Sequence, residues 1–423
     1  MSAPQRVSPS NLGVQGVAIG AGAGRTAILL EGYDRRPNPD VTTLTARLGT
    51  ATSLGSPQTL ARTSVISQVA VGADGTAVAA WTEYLPNGAR ALKAAIARPN
   101  ARFGTVRTVV PAGSVSLGDV AVTAQGRAVL TWREGDPTGP AQVAIAPPGG
   151  RFGTPRPLGD AQGPPVLAAA PDGTVIASWI DAPPSPQPPP APAPTDRTWE
   201  VYAATLAPGA SRFGAATQLD SLQVGISGPG VGSGPGGAAV YWRFEGMLRR
   251  FVSVLPGGVF TPAVATPPMR TAAGIGLEDE LSLGLPSNGS TVAVWQDAVP
   301  EGAESSGLAS SVVSTSTRLR GGAFGAPRTL SARGLLAGAP EAGALTDRTV
   351  AAWSEGSKAT PARLRVAVRY RGAWTVRRPI ATPGVDSNTL GLAAGRKHVP
   401  MIWIQRKNIR EPGGEAYLAT YRP

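Results

Sequence analysis

Ala73-Asp74-Gly75-Thr76-Ala77-Val78-Ala79-Ala80-Trp81-Thr82-Glu83 is the stretch on which the reading of this chain turns. Asp-Gly between two apolar runs marks a tight hairpin, because the turn needs a residue with positive φ. The run that follows is rich in Ala, Val and Thr and too short for a helix, so it reads as a strand. Its tryptophan is a large apolar body with one N–H donor, suited to packing between sheets.

The same stretch recurs along the chain. Gln125-Gly126 leads to Trp132, Asp172-Gly173 to Trp179, Pro235-Gly236 to Trp242 and Asn288-Gly289 to Trp295, each glycine six residues before its tryptophan. Trp353 and Trp403 keep the spacing with Asp347 and Lys397 in the glycine slot, and Gly24 to Leu30 is a degenerate eighth copy. A second signal follows about twenty residues on: Phe103-Gly104, Phe152-Gly153, Phe213-Gly214 and Phe324-Gly325, with Phe260 and Trp374 in the same slot and Leu54-Gly55 as the weak first copy. One unit is therefore strand a, tight turn, strand b ending in tryptophan, a variable loop, strand c, a turn at Phe-Gly, and strand d.

The units run roughly 11–60, 61–112, 113–160, 161–220, 221–265, 266–330, 331–380 and 381–423. Units of about 50 residues with four short strands match propeller blades, which must close on one another to bury their faces. The eighth unit stops after its third strand. Residues 2–7 resemble a strand d and precede the first strand a, as closure of the ring by the N-terminus requires. The expected fold is all-β: one eight-bladed β-propeller domain over residues 1–423, four antiparallel strands per blade.

Composition agrees. The 54 Gly and 42 Pro mark many turns, and the absence of cysteine excludes disulfides and thiolate metal sites. His398 is the only histidine, which excludes multi-histidine metal sites. No apolar run is long enough to span a membrane, and no signal core follows Met1. The net charge of +12 is nearly all arginine, with lysine only at 93, 358, 397 and 407, and is scattered through every unit. Nucleic-acid binders concentrate such charge in a patch, so nucleic acid is not expected as a partner. The densest groups are Arg249-Arg250, then Arg363, Arg365, Arg369 and Arg371, then Arg396-Lys397, Arg406-Lys407 and Arg410. The last two groups leave a polyanion-binding reading for the neighbouring seventh and eighth blades. Two b–c loops carry insertions: a Pro-rich one over 182–198, expected to be an extended surface segment, and an acidic Ser/Gly-rich one over 299–311.

The most repeated polar feature is an acid soon after the tryptophan: Glu83, Glu134, Asp181, Asp297 and Glu355 two residues on, Glu245 three residues on. These six are the candidate ligand-binding residues, a ring of carboxylates on the face of the b–c and d–a loops. The alternative is an inter-blade latch, because residues two apart on a strand point to the same side. No catalytic residue, metal site or cofactor is assigned. The recurring Arg107, Arg156, Arg328 and Arg378 of strand d read as a solvated or salt-bridged outer edge.

"ADGTAVAAW" (73–81), "PDGTVIASW" (171–179), "RFGTPRP" (151–157) and "AFGAPRT" (323–329) give the whole chain its resemblance to the Trp-containing β-propeller repeat proteins of high-GC bacteria. The likeness to sialidase propellers is distant: their Asp box, Ser-x-Asp-x-Gly-x-x-Trp, does not match here. The resemblance implies a bacterial, extracellular or cell-surface protein. The function expected is that of a non-catalytic binding or scaffold propeller, a monomer, with a glycan or protein partner and no membrane insertion. The alternative is a polysaccharide hydrolase or lyase on the same scaffold.

Overall fold

A computed structural model describes residues 1–34, 42–135, 139–181, 198–222, 226–244, 248–255, 258–267, 281–300, 308–357, 362–380, 390–395, 397–406 and 413–423. The Pro-rich segment and Glu245 lie outside them, as do Arg396, Lys407 and Arg410. Among the described residues every regular element is a strand, and the strands form eight antiparallel sheets arranged as the blades of a β-propeller.

Blade three shows the unit. Strand a (Val115–Val122) pairs strand b (Ala128–Glu134), which pairs strand c (Gly139–Ala146), which pairs strand d (Arg156–Ala161). Strand b runs through the tryptophan slot in every blade: Arg25–Asp34, Ala77–Tyr84, Ala128–Glu134, Val175–Asp181, Gly237–Phe244, Thr291–Pro300, Arg348–Gly356 and Val399–Gln405. The a–b turn is a three-residue loop in blades two, three and four and a two-residue loop in blades one, five and seven. In blade two Gly72 N donates to Thr76 O at 2.9 Å and Gly75 N to Gly72 O at 3.0 Å, while Gly75 takes a φ of 90°. Asp74 holds the loop by accepting from Thr76 N at 2.9 Å and Thr76 Oγ1 at 2.6 Å. Gly24, Gly126, Gly173 and Gly289 also have positive φ; in blade five the positive φ falls on Gly237 instead of Gly236. The Phe-Gly glycine has a different job. Its amide donates back to the end of strand c, Gly104 N to Ile96 O at 3.1 Å and Gly153 N to Ile145 O at 3.0 Å.

The ring closes as expected. Gln5–Arg6 pairs Glu415–Tyr421 as the outer strand of the blade that holds Trp403, and Val7 N donates to Ala416 O at 2.8 Å. The 299–311 insertion is less of a loop than its composition suggests. Strands Thr291–Pro300 and Leu308–Arg318 continue into it, pairing Val299 with Ser310, so the described part lengthens the b–c hairpin.

The core consists of eight apolar clusters, one for each junction between neighbouring blades. Trp81, Trp132, Trp179, Trp242, Trp295, Trp353 and Trp403 are all fully buried, and each packs against the preceding blade. Trp132, for example, packs with Val78, Ala80 and Leu92 of blade two. Blade one has no tryptophan there, and Ile28 and Leu30 meet Ile402, Ile404 and Leu418 across the closing seam. Burying an aromatic of this size stabilises by about 3–5 kcal/mol relative to alanine.

Candidate functional site

Strand b ends, and strands a and c begin, on one face of the ring, so the b–c and d–a loops share that face. Five of the six candidate carboxylates stand there, two residues after their tryptophans. Trp81 Nε1 donates to Glu83 at 2.8 Å, Trp132 Nε1 to Glu134 at 3.1 Å, Trp295 Nε1 to Asp297 at 2.9 Å and Trp353 Nε1 to Glu355 at 3.3 Å. A buried indole N–H must find an acceptor, and the i+2 position on the same side of the strand supplies it. Opposite the tryptophan, strand c often adds a cation. Lys93 Nζ lies 2.5 Å from Glu83 and Arg365 Nε 2.7 Å from Glu355. Glu355 also accepts from Ala332 N at 3.0 Å and its side chain is almost fully buried. Glu134 differs: Trp132 engages Oε1, and no other described group reaches the carboxylate.

Blades four and eight meet the tryptophan with tyrosine. Tyr202 stacks on Trp179 with centroids 6.0 Å apart, and Tyr417 on Trp403 at 6.0 Å. Each phenol donates to a glutamate two residues back on its own strand, Tyr202 to Glu200 at 2.6 Å and Tyr417 to Glu415 at 2.8 Å. The Glu200 hydrogen bond pushes the Tyr202 hydroxyl up to about 12. Asp181 lies beside this pair, at the end of strand b. In blade eight Gln405 replaces the acid, and the buried Trp403 indole N–H has no hydrogen-bond partner among the described residues. In blade five the acceptor comes from the neighbour: Trp242 Nε1 donates to Asp220, on strand d of blade four, at 2.9 Å. Asp220 carries no repeat signal in the sequence.

Asp119 is a second residue without a sequence signal. It sits at a bulge in strand a of blade three. Its carboxylate accepts from Val120 N at 2.7 Å and from Leu167 N of blade four at 3.1 Å. Burial nevertheless wins over these two hydrogen bonds and pushes the carboxyl up to about 6.

The opposite face carries the a–b and c–d turns. Arg107, Arg156, Arg328 and Arg378 are exposed, in keeping with an outer edge, and other arginines on this face bridge blades. Arg25 and Arg348 begin strand b and Arg127 immediately precedes it, each directly after the turn-glycine slot, and each reaches to the next blade. Arg25 donates to Gly75 O at 2.6 Å, to Arg98 O at 2.7 Å and to Ala101 O. Arg127 donates to Ala210 O in the c–d turn of blade four. Arg348 donates to Tyr421 Oη at 3.0 Å and lies 4.4 Å over the Tyr370 ring. His398 lies on the same face, buried, with its pKa lowered first by desolvation and then by Arg422. Of the basic group in blade seven, Arg365 is committed to Glu355, and partial burial lowers the pKa of Arg369.

Among the described residues no three His, Cys, Asp or Glu side chains gather to hold a metal ion, and no helix is long and apolar enough to cross a membrane. The fold and this double-faced ring define a β-propeller. Solved structures similar to it in fold include the β-propeller domain of the Trilobed protease from Pyrococcus furiosus, at 6% identity over 89% of this chain and 98% of that one, TM-score 0.45. A polysaccharide lyase, a PL25 ulvan lyase bound to -[GlcA(1-4)Rha3S]-, matches at 10% identity over 99% of this chain and 96% of that one, TM-score 0.49. Puromycin hydrolase matches at 15% identity over 95% of this chain and 60% of that one, TM-score 0.44. These are likenesses of fold alone. No family model matches the chain, and no curated protein matches it.

Proposed function

We propose that residues 1–423 act as one domain, a monomeric, non-catalytic binding propeller that holds a glycan or protein partner on the face of the b–c and d–a loops. The observation that carries this reading is the engagement of the carboxylates there. Glu83 and Glu355 are each saturated by an indole and a cation, at 2.8 and 2.5 Å for Glu83 and 3.3 and 2.7 Å for Glu355. Acid–base catalysis needs a carboxyl within reach of substrate, and these point inward as braces for strands b and c. Glu83, Asp297 and Glu355 then shape the face by holding the loops, and Asp181 lies beside the Trp179–Tyr202 stack. Glu134 is the member placed to accept a hydrogen bond from a bound partner, through the oxygen that Trp132 leaves unused.

A glycan array followed by an assay for reducing-end release tests this. The expected outcome is binding to at least one glycan class without turnover, weakened by Glu134→Gln. Release of reducing ends would replace the reading with that of a hydrolase or lyase.

A further inference from the structure

The c–d hairpins of blades two to seven end on the face of the a–b turns, and what they present there changes around the ring. In blades two, three and four the residue before the Phe-Gly pair is an exposed arginine: Arg102, Arg151 and Arg212. In blades five, six and seven the same ends present apolar side chains. Leu319 is 68% exposed and Val259 63%, more than any other large hydrophobic among the described residues, and Tyr370 is 38% exposed. Each is at the tip of its hairpin. Val259 pairs Leu255 at the start of strand d, the Leu319 carbonyl accepts from Gly322 N at 3.0 Å within the turn, and Tyr370 pairs Ala373 around Arg371-Gly372. A single exposed apolar side chain is ordinary. Three at the tips of consecutive blades, on one face, mark an interaction surface.

Arginines stand among these tips. Arg320 follows Leu319 and Arg371 follows Tyr370; both are exposed, and Arg371 lies 5.2 Å over the Tyr370 ring. Among the described residues no carboxylate pairs with Arg151, Arg212, Arg320 or Arg371. The acids described on this face, Asp74, Asp172 and Asp347, belong to a–b turns nearer the axis. Asp74 and Asp172 hold their own loops, and Asp347 stands 3.3 Å from Arg348. Glu83, Glu134, Asp297 and Glu355 are on the opposite face, beside their tryptophans. The outer rim of the a–b face is therefore basic and apolar at once. A polyanion in solution would engage its arginines and leave Leu319 and Val259 in water. A flat anionic surface with an apolar layer beneath it engages both, because basic side chains gain from the surface charge and apolar ones from burial at the headgroup–acyl boundary.

We propose that this face lies flat on an anionic lipid bilayer, with Val259, Leu319 and Tyr370 at the headgroup–acyl boundary and Arg320 and Arg371 on lipid phosphates. The exposed arginines of blades two to four meet the same surface. Contact is peripheral: turn tips reach the interface and no strand crosses it. The face of the b–c and d–a loops, assigned to the glycan or protein partner, then points away from the lipid, and either assignment stands without the other.

Co-sedimentation of the full chain with vesicles at physiological salt tests it. The chain is expected to pellet with vesicles of phosphatidylcholine and phosphatidylglycerol and to stay in solution with phosphatidylcholine alone. Val259→Ser combined with Leu319→Ser leaves the charge intact and should weaken binding about tenfold or more. The melting temperature should not change, since both side chains are exposed. Arg151→Gln combined with Arg320→Gln should also weaken binding about tenfold or more, each arginine near an anionic surface being worth about fivefold. Ile66→Ser combined with Tyr84→Ser, exposed apolar residues of the opposite face, should leave binding unchanged. Absence of pelleting with the anionic vesicles, full binding by the Val259 and Leu319 double variant, or an equal loss with the Ile66 and Tyr84 double variant would overturn the proposal. The second of these would make a polyanion, held by charge alone, the partner of this face.

Discussion

A buried N–H or carboxyl group has few places to go, and this constraint explains the polar residues of the ring. The indoles of Trp81, Trp132, Trp295 and Trp353 each take the carboxylate two residues on. That pairing was half legible. The Trp-x-acid spacing is in the chain, and period-two geometry puts both side chains on one side. The latch was expected to reach toward the neighbouring blade, and it forms instead mainly within one sheet; only Trp242 finds its acid, Asp220, on the blade before. Asp119 had no spacing to betray it, since its burial arises where two inner strands meet. Its carboxyl stands at about 6 against an ordinary 3.8. The folded state therefore binds the proton more tightly than the unfolded state does. The resulting stabilisation is complete below the unfolded value and is lost as pH rises through about 6. The shift corresponds to about 3 kcal/mol. A carboxyl-carbon NMR titration should give a midpoint near 6, and Asp119→Asn should remove this part of the pH dependence of unfolding. An ordinary midpoint would mean that water reaches the group.

At the scale of the element, the inner strands show why the repeat is rich in small residues. Eight strands converging on one axis approach closely, and several have no room for a Cβ. One built on Gly118 would stand 2.3 Å from Pro165 O of the next blade, and one on Gly22 would stand 2.2 Å from Gly72 O. Neither clash can be relieved by turning a side chain, because the obstacle is backbone. Gly118→Ala should destabilise by about 1–3 kcal/mol or more through overpacking. Gly113→Ala, on an outer strand with nothing within 4 Å, should be close to neutral. Denaturant unfolding of the two variants measures the difference. Glycine content is plain in the chain, but glycines of the turns and of the inner strands look alike there; only packing separates a positive φ at Gly75 from a close approach at Gly118.

At the scale of the whole molecule, stability depends on the ring being shut. Val7 is fully buried and packs with blades one and eight, and the strand before it covers the edge of Glu415–Tyr421. Deleting residues 1–7 would lose the burial of Val7, about 1.5–3 kcal/mol, and expose an unpaired edge that invites association. The expected result is a lower melting temperature together with concentration-dependent self-association in sedimentation. An unchanged melt would show that the closing strand is dispensable. The sequence by itself determined the blade count, the strand order, the buried tryptophans and the closing role of residues 2–7. These follow from local periodicity and turn chemistry, which repeat at a fixed spacing and need no knowledge of distant contacts. Tertiary structure alone decided which acids meet which indoles across blades, where Asp119 is desolvated, and that Val259, Leu319 and Tyr370 stand exposed on one face. Those arrangements join positions on neighbouring blades, and a periodic pattern holds no record of which side chains meet across a junction.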